Sequence, residues 1–234
     1  MLILHTGDPG PAGLALHGDY ANLLRRAAGL APDETEIVAV FRGDAPDAPS
    51  RYAAALITGS PAMVTDREPW SEDAARWLRT AAQDGLPIFG VCYGHQLLAH
   101  AFGGQVDYNP RGREIGTHEV ELAGDAGGDA LLAGLPGRFP AQMQHSQTVT
   151  VPPPGARVLA RSELDPHQLL RYGPVVVSVQ FHPEFDAGLI RADLERRRTR
   201  YAGEGLDVAA LERGVRDTPE AAGLPARFLA LYAR

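Results

Sequence analysis

Residues 90 to 96 read Gly90-Val91-Cys92-Tyr93-Gly94-His95-Gln96, and this heptad constrains the chain more than any other stretch. It follows the apolar run Pro87-Ile88-Phe89 and precedes Leu97-Leu98-Ala99 and Ala101-Phe102, spaced to suit one face of a helix. The order is strand, sharp turn, helix. A side chain presented at such a turn sits at a strained backbone position, so the residues two before and two after it must lack bulk, and here both are glycine. Gly90-x-Cys92-x-Gly94 is thus the cysteine form of a nucleophile elbow. The helix start brings unpaired N–H groups and the positive end of a dipole beside the sulfur, the setting a nucleophilic thiol needs. Cys92 is also the one cysteine of the 234 residues; a small buried apolar thiol is the ordinary alternative, and the flanking glycines argue against it.

A nucleophilic cysteine needs a base. The segment Val175 to Phe181 is β-branched and long enough for a buried strand, and it runs into His182-Pro183-Glu184. Pro183 restricts His182 to extended backbone, where residues i and i+2 project to one side, so the Glu184 carboxylate can reach the imidazole. Glutamate would fix the tautomer while the other ring nitrogen takes the thiol proton. The loop Thr58-Gly59-Ser60-Pro61, after the apolar stretch Ala53 to Ile57, is a candidate oxyanion hole, with the backbone N–H groups of Gly59 and Tyr93 as donors. Gly-Ser-Pro is equally an ordinary turn.

These pieces resemble the class I, triad-type glutamine amidotransferases, close to the glutaminase domain of GMP synthase and its free-standing relatives. Members carry Gly-x-Cys-x-Gly-x-Gln after one strand, His-Pro-Glu after a later one, and a small Gly- and Pro-containing loop before both; all occur here in that order. The resemblance implies Cys92 as nucleophile, His182 as base, Glu184 as its orienter and Gln96 as a contact to bound glutamine. It also implies a substrate-binding segment at Gln144, His145 and Ser146. Where the GMP synthase type reads Ser-His-Gly-Asp, however, this chain has Gln144-His145-Ser146-Gln147, which leaves recognition of the substrate's amino-acid end open. Ser60 replaces a second glycine of the oxyanion loop.

Short β-type runs alternating with helical patterns argue for an α/β fold: a mainly parallel central sheet flanked by helices, flavodoxin-like by resemblance. Leu2–Thr6 and Thr35–Arg42 read as strands. Asp19 reads as the cap of a helix ending near Gly29, and Ser71 as the cap of another running to Gly85. The alternation at Ile115–Leu122, among Gly- and Pro-rich turns, resembles the small antiparallel addition of triad amidotransferases. Leu169–Tyr172 and Val175–Phe181 suit a hairpin about Gly173-Pro174. From Asp186 onward the pattern is helical, interrupted by Arg196-Arg197-Arg198, which reads as a solvated face. The chain is accordingly expected to be a single domain, 1–234, with a core over about 1–185 and a helical C-terminal extension over about 186–234.

At 44% hydrophobic residues the chain can bury a large core, and its formal charge of −7 argues against binding nucleic acid through a basic face. All 22 basic residues are arginine, which excludes a Walker-type phosphate loop and a lysine Schiff base. No cofactor and no metal site is expected; His95 and His100 fall on different faces of a helix and make no ligand pair. Neither a signal-like start nor a membrane-length apolar run is evident, so cytoplasmic residence is expected. Asp8, Arg42 and Arg111 could line a pocket mouth. The activity implied is hydrolysis of the glutamine side-chain amide through a γ-glutamyl thioester, releasing glutamate and ammonia for an acceptor held elsewhere, such as on a separate synthetase subunit. Two other readings stay open: a γ-glutamyl peptidase or hydrolase using the same residues, and a non-catalytic binding module.

Overall fold

A computed structural model describes residues 1–124 and 126–233. Among these, a nine-stranded sheet runs in the order β2-β1-β3-β4-β11-β10-β9-β6-β7. Its strands are β1 (Leu2–His5), β2 (Glu36–Ala39), β3 (Ala55–Ile57), β4 (Ile88–Val91), β6 (Glu114–Leu122), β7 (Arg138–His145), β9 (Arg157–Arg161), β10 (Leu169–Arg171) and β11 (Val176–Val179). The first five in that order are mutually parallel and the remaining contacts antiparallel. The 2-1-3-4 order followed by a fifth parallel strand is the doubly wound, flavodoxin-like arrangement, whose ligands bind beyond the carboxyl ends of the strands. A separate antiparallel ribbon pairs β5 (Gln105–Tyr108) with β8 (Gln147–Val151).

Both faces of the parallel strands are apolar, as a sheet covered on each side requires. Ile3, Leu56, Phe89, Val91, Val177 and Val179 face one layer with Leu24 and Phe228, while Leu2, Leu4, Ala55, Ile57, Ile88 and Val176 face the other with Leu78, Leu97 and Leu98. The first layer is built by α2 (Tyr20–Ala27) and α9 (Leu224–Tyr232), the second by α3 (Pro69–Gln83) and α4 (Tyr93–Ala101). Phe228 of α9 packs on Phe89 of β4 with ring centroids 5.3 Å apart, so the C-terminal segment contributes to the central core. The other helices are α1 (Pro11–His17), α5 (Ala187–Arg196), α6 (Arg198–Gly203), α7 (Val208–Gly214) and α8 (Pro219–Ala222). Ile115, Phe185, Ile190, Leu194, Tyr201 and Val208 form a third apolar cluster that fastens α5 to α7 beside β6.

Several boundaries differ from the sequence reading. Asp19 caps α2 as expected, its side chain accepting from the Asn22 N–H at 2.7 Å. Ser71 does not cap α3: Pro69 sits at the first turn, where its missing N–H costs nothing, and the buried Ser71 hydroxyl bonds the Tyr93 hydroxyl at 2.7 Å instead. The second strand ends at Ala39, because Val40–Arg42 turns into a 3-10 helix closed by Gly43 at φ 93°. Helix α4 is not one-faced: every residue but His100 is buried, since β3, β8 and α3 enclose it. The small antiparallel addition is present as the β5–β8 ribbon, and antiparallel strands β10, β9, β6 and β7 also extend the central sheet, with the expected hairpin at β10 and β11 forming the join. No helix among the described residues is long and apolar enough to cross a membrane.

Candidate active site

Cys92 stands where β4 ends and α4 begins, at φ 50° and ψ −97°. Only one other non-glycine residue among those described has positive φ, and the strain is held by bonds on both sides. The Cys92 N–H donates to the Val179 carbonyl at 2.9 Å and the Gly94 N–H to the Thr58 carbonyl at 3.2 Å, tying the turn to β11 and to the loop after β3. A Cβ on Gly90 would lie 2.7 Å from the Gly94 carbonyl oxygen, and one on Gly94 would lie 2.8 Å from Ile57. Both glycines are therefore demanded by close packing between strand and helix.

His182 follows β11 and reaches the same point. Its N–H donates to the Gln142 carbonyl at 2.8 Å, its Nδ1 lies 2.8 Å from Glu184 Oε1, and the Phe185 ring stacks on it at 4.0 Å. Burial pushes the imidazole toward its neutral form, but the Glu184 charge, the Cys92 charge and hydrogen bonds to both side chains overcome this and raise its pKa to about 10. The second carboxylate oxygen, Glu184 Oε2, is buried with no hydrogen-bond partner among the described residues. Gly59 completes the contact: a Cβ there would meet His182 Cε1 at 2.8 Å and Cys92 Cβ at 3.6 Å, so only glycine lets this loop approach both. Strand ends from β3, β4 and β11 thus converge on a cysteine, an imidazole and a carboxylate. Such a set can move a proton off sulfur and hold it on nitrogen.

The cavity beside Cys92 encloses about 210 Å³. Gln96, Gln144, His145 and Ser146 all line it, as do Tyr93 and His182. Their side chains are differently employed, however. Gln96 spends its amide N–H groups on the Gln147 carbonyl at 2.8 Å and on Gln180 Oε1 at 3.0 Å. Gln144 turns its amide to Asp193 at 2.7 Å and leaves its backbone carbonyl 4.0 Å from the Cys92 sulfur. The Tyr93 ring is buried against Trp70, so only its backbone is near the thiol.

His145 is a buried member of a polar network. Its Nδ1 faces the Gln147 carbonyl at 2.9 Å and its Nε2 faces Glu114 Oε2 at 2.8 Å; both are acceptors, so the ring carries protons on both nitrogens. Burial opposes that charge, and the hydrogen bond and charge of Glu114 prevail, raising the His145 pKa. Glu114, His145 and Asp165 lie close enough to hold a cation, yet their atoms already have protein partners: Ser162 and Gln168 donate to Glu114, and Thr148 and the His167 N–H donate to Asp165. His95 is the opposite case, for complete burial, aided by the charges of His145 and His167, drops its pKa to about 3 and keeps it neutral.

Sequence reasoning missed the far wall. Tyr20, Arg113, Arg197 and Arg200 line the cavity from α2, from the start of β6 and from the α5–α6 junction. The arginine triplet is not uniformly solvated: Arg196 and Arg197 reach the buried Asp193 at 2.5 and 2.9 Å, and Arg198 alone pairs outward, with Glu195 and Glu212. A break in a helical pattern at three arginines was the available signal. Asp8, Arg42 and Arg111 line no part of the cavity; Arg42 pairs with Asp8 at 2.6 Å, and Arg111 donates to the Glu163 carbonyl.

The family pattern described as glutamine amidotransferase class-I matches residues 22–199. The chain belongs to that family. It is similar to the glutamine-hydrolyzing GMP synthase of Aeropyrum pernix, 36% identical over 201 residues that make up 86% of this chain and 35% of that protein. It therefore spans well under half the length of that relative. One subunit of the glutamine-hydrolyzing GMP synthase of Methanopyrus kandleri is 30% identical over 189 residues, covering 80% of this chain and 96% of the relative. Among solved structures, a glutamine amidotransferase of Thermotoga maritima superposes with a TM-score of 0.77 at 20% identity over 100% of this chain and 98% of that one. A glutamine amidotransferase of Methylobacillus flagellatus gives 0.74 at 22% identity over 100% and 95%. At these identities the structures attest the fold, and it is the one described above.

Proposed function

We propose that this chain hydrolyses the side-chain amide of glutamine, with Cys92 as nucleophile, His182 as general base and acid, and Glu184 as the residue that orients and charges the imidazole. The observation that carries this reading is Cys92 held at positive φ at the end of β4 while the His182–Glu184 pair, bonded at 2.8 Å, sits against it. His182 takes the thiol proton, and sulfur attacks the amide carbon. The tetrahedral oxyanion accepts hydrogen bonds from the N–H groups of Gly59 and Tyr93. His182 then returns its proton to the nitrogen, ammonia leaves, and a γ-glutamyl thioester stays on Cys92. Water, deprotonated by His182, cleaves the thioester to glutamate and restores the thiol. The Methanopyrus relative, of similar length and itself one subunit of a GMP synthase, supports delivery of the ammonia to a synthetase carried on a separate chain.

A γ-glutamyl hydrolase reading has one observation in its favour: the Gln144–Gln147 segment offers no carboxylate to a substrate α-ammonium. The two are separated by incubating the chain with glutamine and with γ-glutamyl peptides and measuring ammonia, glutamate and released amine. Labelling by 6-diazo-5-oxo-norleucine, read by mass on the Cys92 peptide, tests the nucleophile, and Cys92→Ser should be inert to it while retaining the wild-type fold. An unlabelled Cys92 in wild-type protein would overturn the assignment.

A further inference from the structure

Among the described residues, the lining of the Cys92 cavity contains Arg113, Arg197 and Arg200 and no aspartate or glutamate. That is an uneven complement for a zwitterion such as glutamine, whose α-carboxylate and α-ammonium require opposite partners. The carboxylates that hold these arginines stand behind them. Glu204 Oε2 lies 2.8 Å from Arg113 Nε and Glu204 Oε1 lies 2.9 Å from Arg200 Nε. Asp193 Oδ1 lies 2.9 Å from Arg197 Nε, an ion-pair distance at which the buried Nε–H is nevertheless out of line for a hydrogen bond. All three contacts go through Nε. The Nη groups, the paired donors that match a carboxylate, have no hydrogen-bond acceptor among the described residues.

Resting on the reading of Cys92 as an amide-cleaving nucleophile, we infer that Arg197 and Arg200, with Arg113 beside them, bind the substrate's α-carboxylate and make it the recognised group, while the α-ammonium is dispensable. The class of substrate is then an ω-amide of a dicarboxylic acid with an anionic far end, whether or not that end carries an amine. This gives the C-terminal helices a part in specificity. Arg197 at the α5–α6 junction and Arg200 within α6 are set by the packing of Tyr201, fully buried in the third cluster, whose hydroxyl donates to Asp193 at 2.8 Å. Arg197 and Arg200 are specificity-determining residues acting on binding, and the chemistry at sulfur is left to Cys92 and His182.

The test uses the full chain and two independent readouts on wild type, Arg197→Gln, Arg200→Gln, the double variant and the charge-preserving Arg197→Lys. First, Cys92 alkylation by iodoacetate is compared with alkylation by neutral iodoacetamide, followed by mass. Because the iodoacetate carboxylate is one bond from the alkylated carbon, the iodoacetate-to-iodoacetamide rate ratio reads the positive charge of the pocket; it should fall about tenfold in the double variant and stay near wild type in Arg197→Lys. Second, ammonia release is measured from glutamine, from glutaramate, which lacks only the α-amine, and from 4-aminobutanamide, which lacks only the carboxylate. Glutaramate should be used within about tenfold of glutamine and 4-aminobutanamide at least about a hundredfold less well. In the double variant KM for glutamine and glutaramate should rise with kcat little changed. An alkylation ratio indifferent to the substitutions, or equal use of glutaramate and 4-aminobutanamide, overturns the inference. If no amide is hydrolysed at all, the proposed activity fails while the alkylation ratio still decides whether the pocket selects anions.

Discussion

The Phe185 ring lies flat against the His182 imidazole, its plane 4° from parallel and its centroid 4.0 Å away. Phe185 is itself buried, in the cluster that fastens α5 to α7. One side of the imidazole is thus fixed by an apolar plate and one edge by Glu184, leaving the remaining nitrogen edge toward Cys92.

Removing the plate should unlock the ring. Phe185→Ala is expected to cost about 3–5 kcal/mol of stability as a buried aromatic truncation, while Phe185→Leu should cost less and remain folded. In Phe185→Leu the loss should appear in kcat for glutamine more than in KM, because ring orientation and not binding is disturbed. Steady-state kinetics beside a thermal melt check this; a folded Phe185→Leu enzyme with wild-type kcat would show that Glu184 alone orients His182.

The pH dependence follows from the raised pKa of His182. In the unfolded chain a histidine titrates near about 6.5, whereas the folded value is about 10. A raised pKa contributes stability that is fully present below the unfolded value and is lost as pH climbs through the folded one. Thermal stability should therefore decline between roughly pH 7 and 10 in wild type. Glu184→Gln removes the largest charge that raises the pKa, so its decline over that window should be shallower. Parallel declines in the two proteins would mean that other groups govern the alkaline limb.

What could be read from sequence was local. The elbow, the His182-Pro183-Glu184 contact, the Asp19 cap and the β10–β11 hairpin each depend on residues a few positions apart, and each is present. The misreadings arose where distant chain decides. Ser71 was drawn from its capping role by Tyr93, and α4 was enclosed by β3 and β8, elements no helical periodicity could reveal. The arginine triplet reads as a solvated face because the burial of its partner Asp193 is set by Gln144 of β7, which bonds it from 49 residues away, and not by the local pattern. Gln96 and His145 lie on the cavity wall, yet the Gln96 amide N–H groups are spent on Gln147 and Gln180 and both His145 ring nitrogens on Gln147 and Glu114.

That buried pair, Glu114 and His145, yields an expectation of its own. Burial raises the Glu114 pKa, but hydrogen bonds and charge from His145 and a bond from Ser162 lower it overall, so both partners are charged near neutrality. Glu114→Gln leaves an imidazolium without its counter-charge and should destabilise by about 3–5 kcal/mol. The Glu114 contribution is present above the ordinary carboxylate range and lost as pH falls through the depressed pKa, so the variant's deficit should shrink in acid. Urea titrations at neutral and acidic pH measure this, and a deficit independent of pH would point to lost packing instead.

The closest packing at the elbow gives the sharpest test of why the chain has this motif. A methyl group on Gly94 would meet Ile57 Cβ at 2.8 Å and the Ile57 carbonyl oxygen at 2.9 Å. Ile57 Cγ2, also 2.8 Å away, could rotate clear, but Cβ and the carbonyl are fixed to β3, which is paired to β1 and β4 and cannot retreat alone. Gly94→Ala should therefore push α4 off the sheet, costing about 1–3 kcal/mol as overpacking. The same shift displaces Cys92 and the Tyr93 N–H together, and a misplacement of about 1 Å is worth roughly a hundredfold in rate. Trimming Ile57 in a Gly94→Ala, Ile57→Ala double variant removes only the Cγ2 clash and leaves Cβ and the carbonyl in place, so activity should stay low. Gly137→Ala serves as the control, since no atom of the described residues lies within 4 Å of a Cβ there. Glutaminase assays and melts on the three proteins decide the matter: recovery of activity in the double variant would mean that the Ile57 side chain, and not the strand backbone, dictates glycine at position 94.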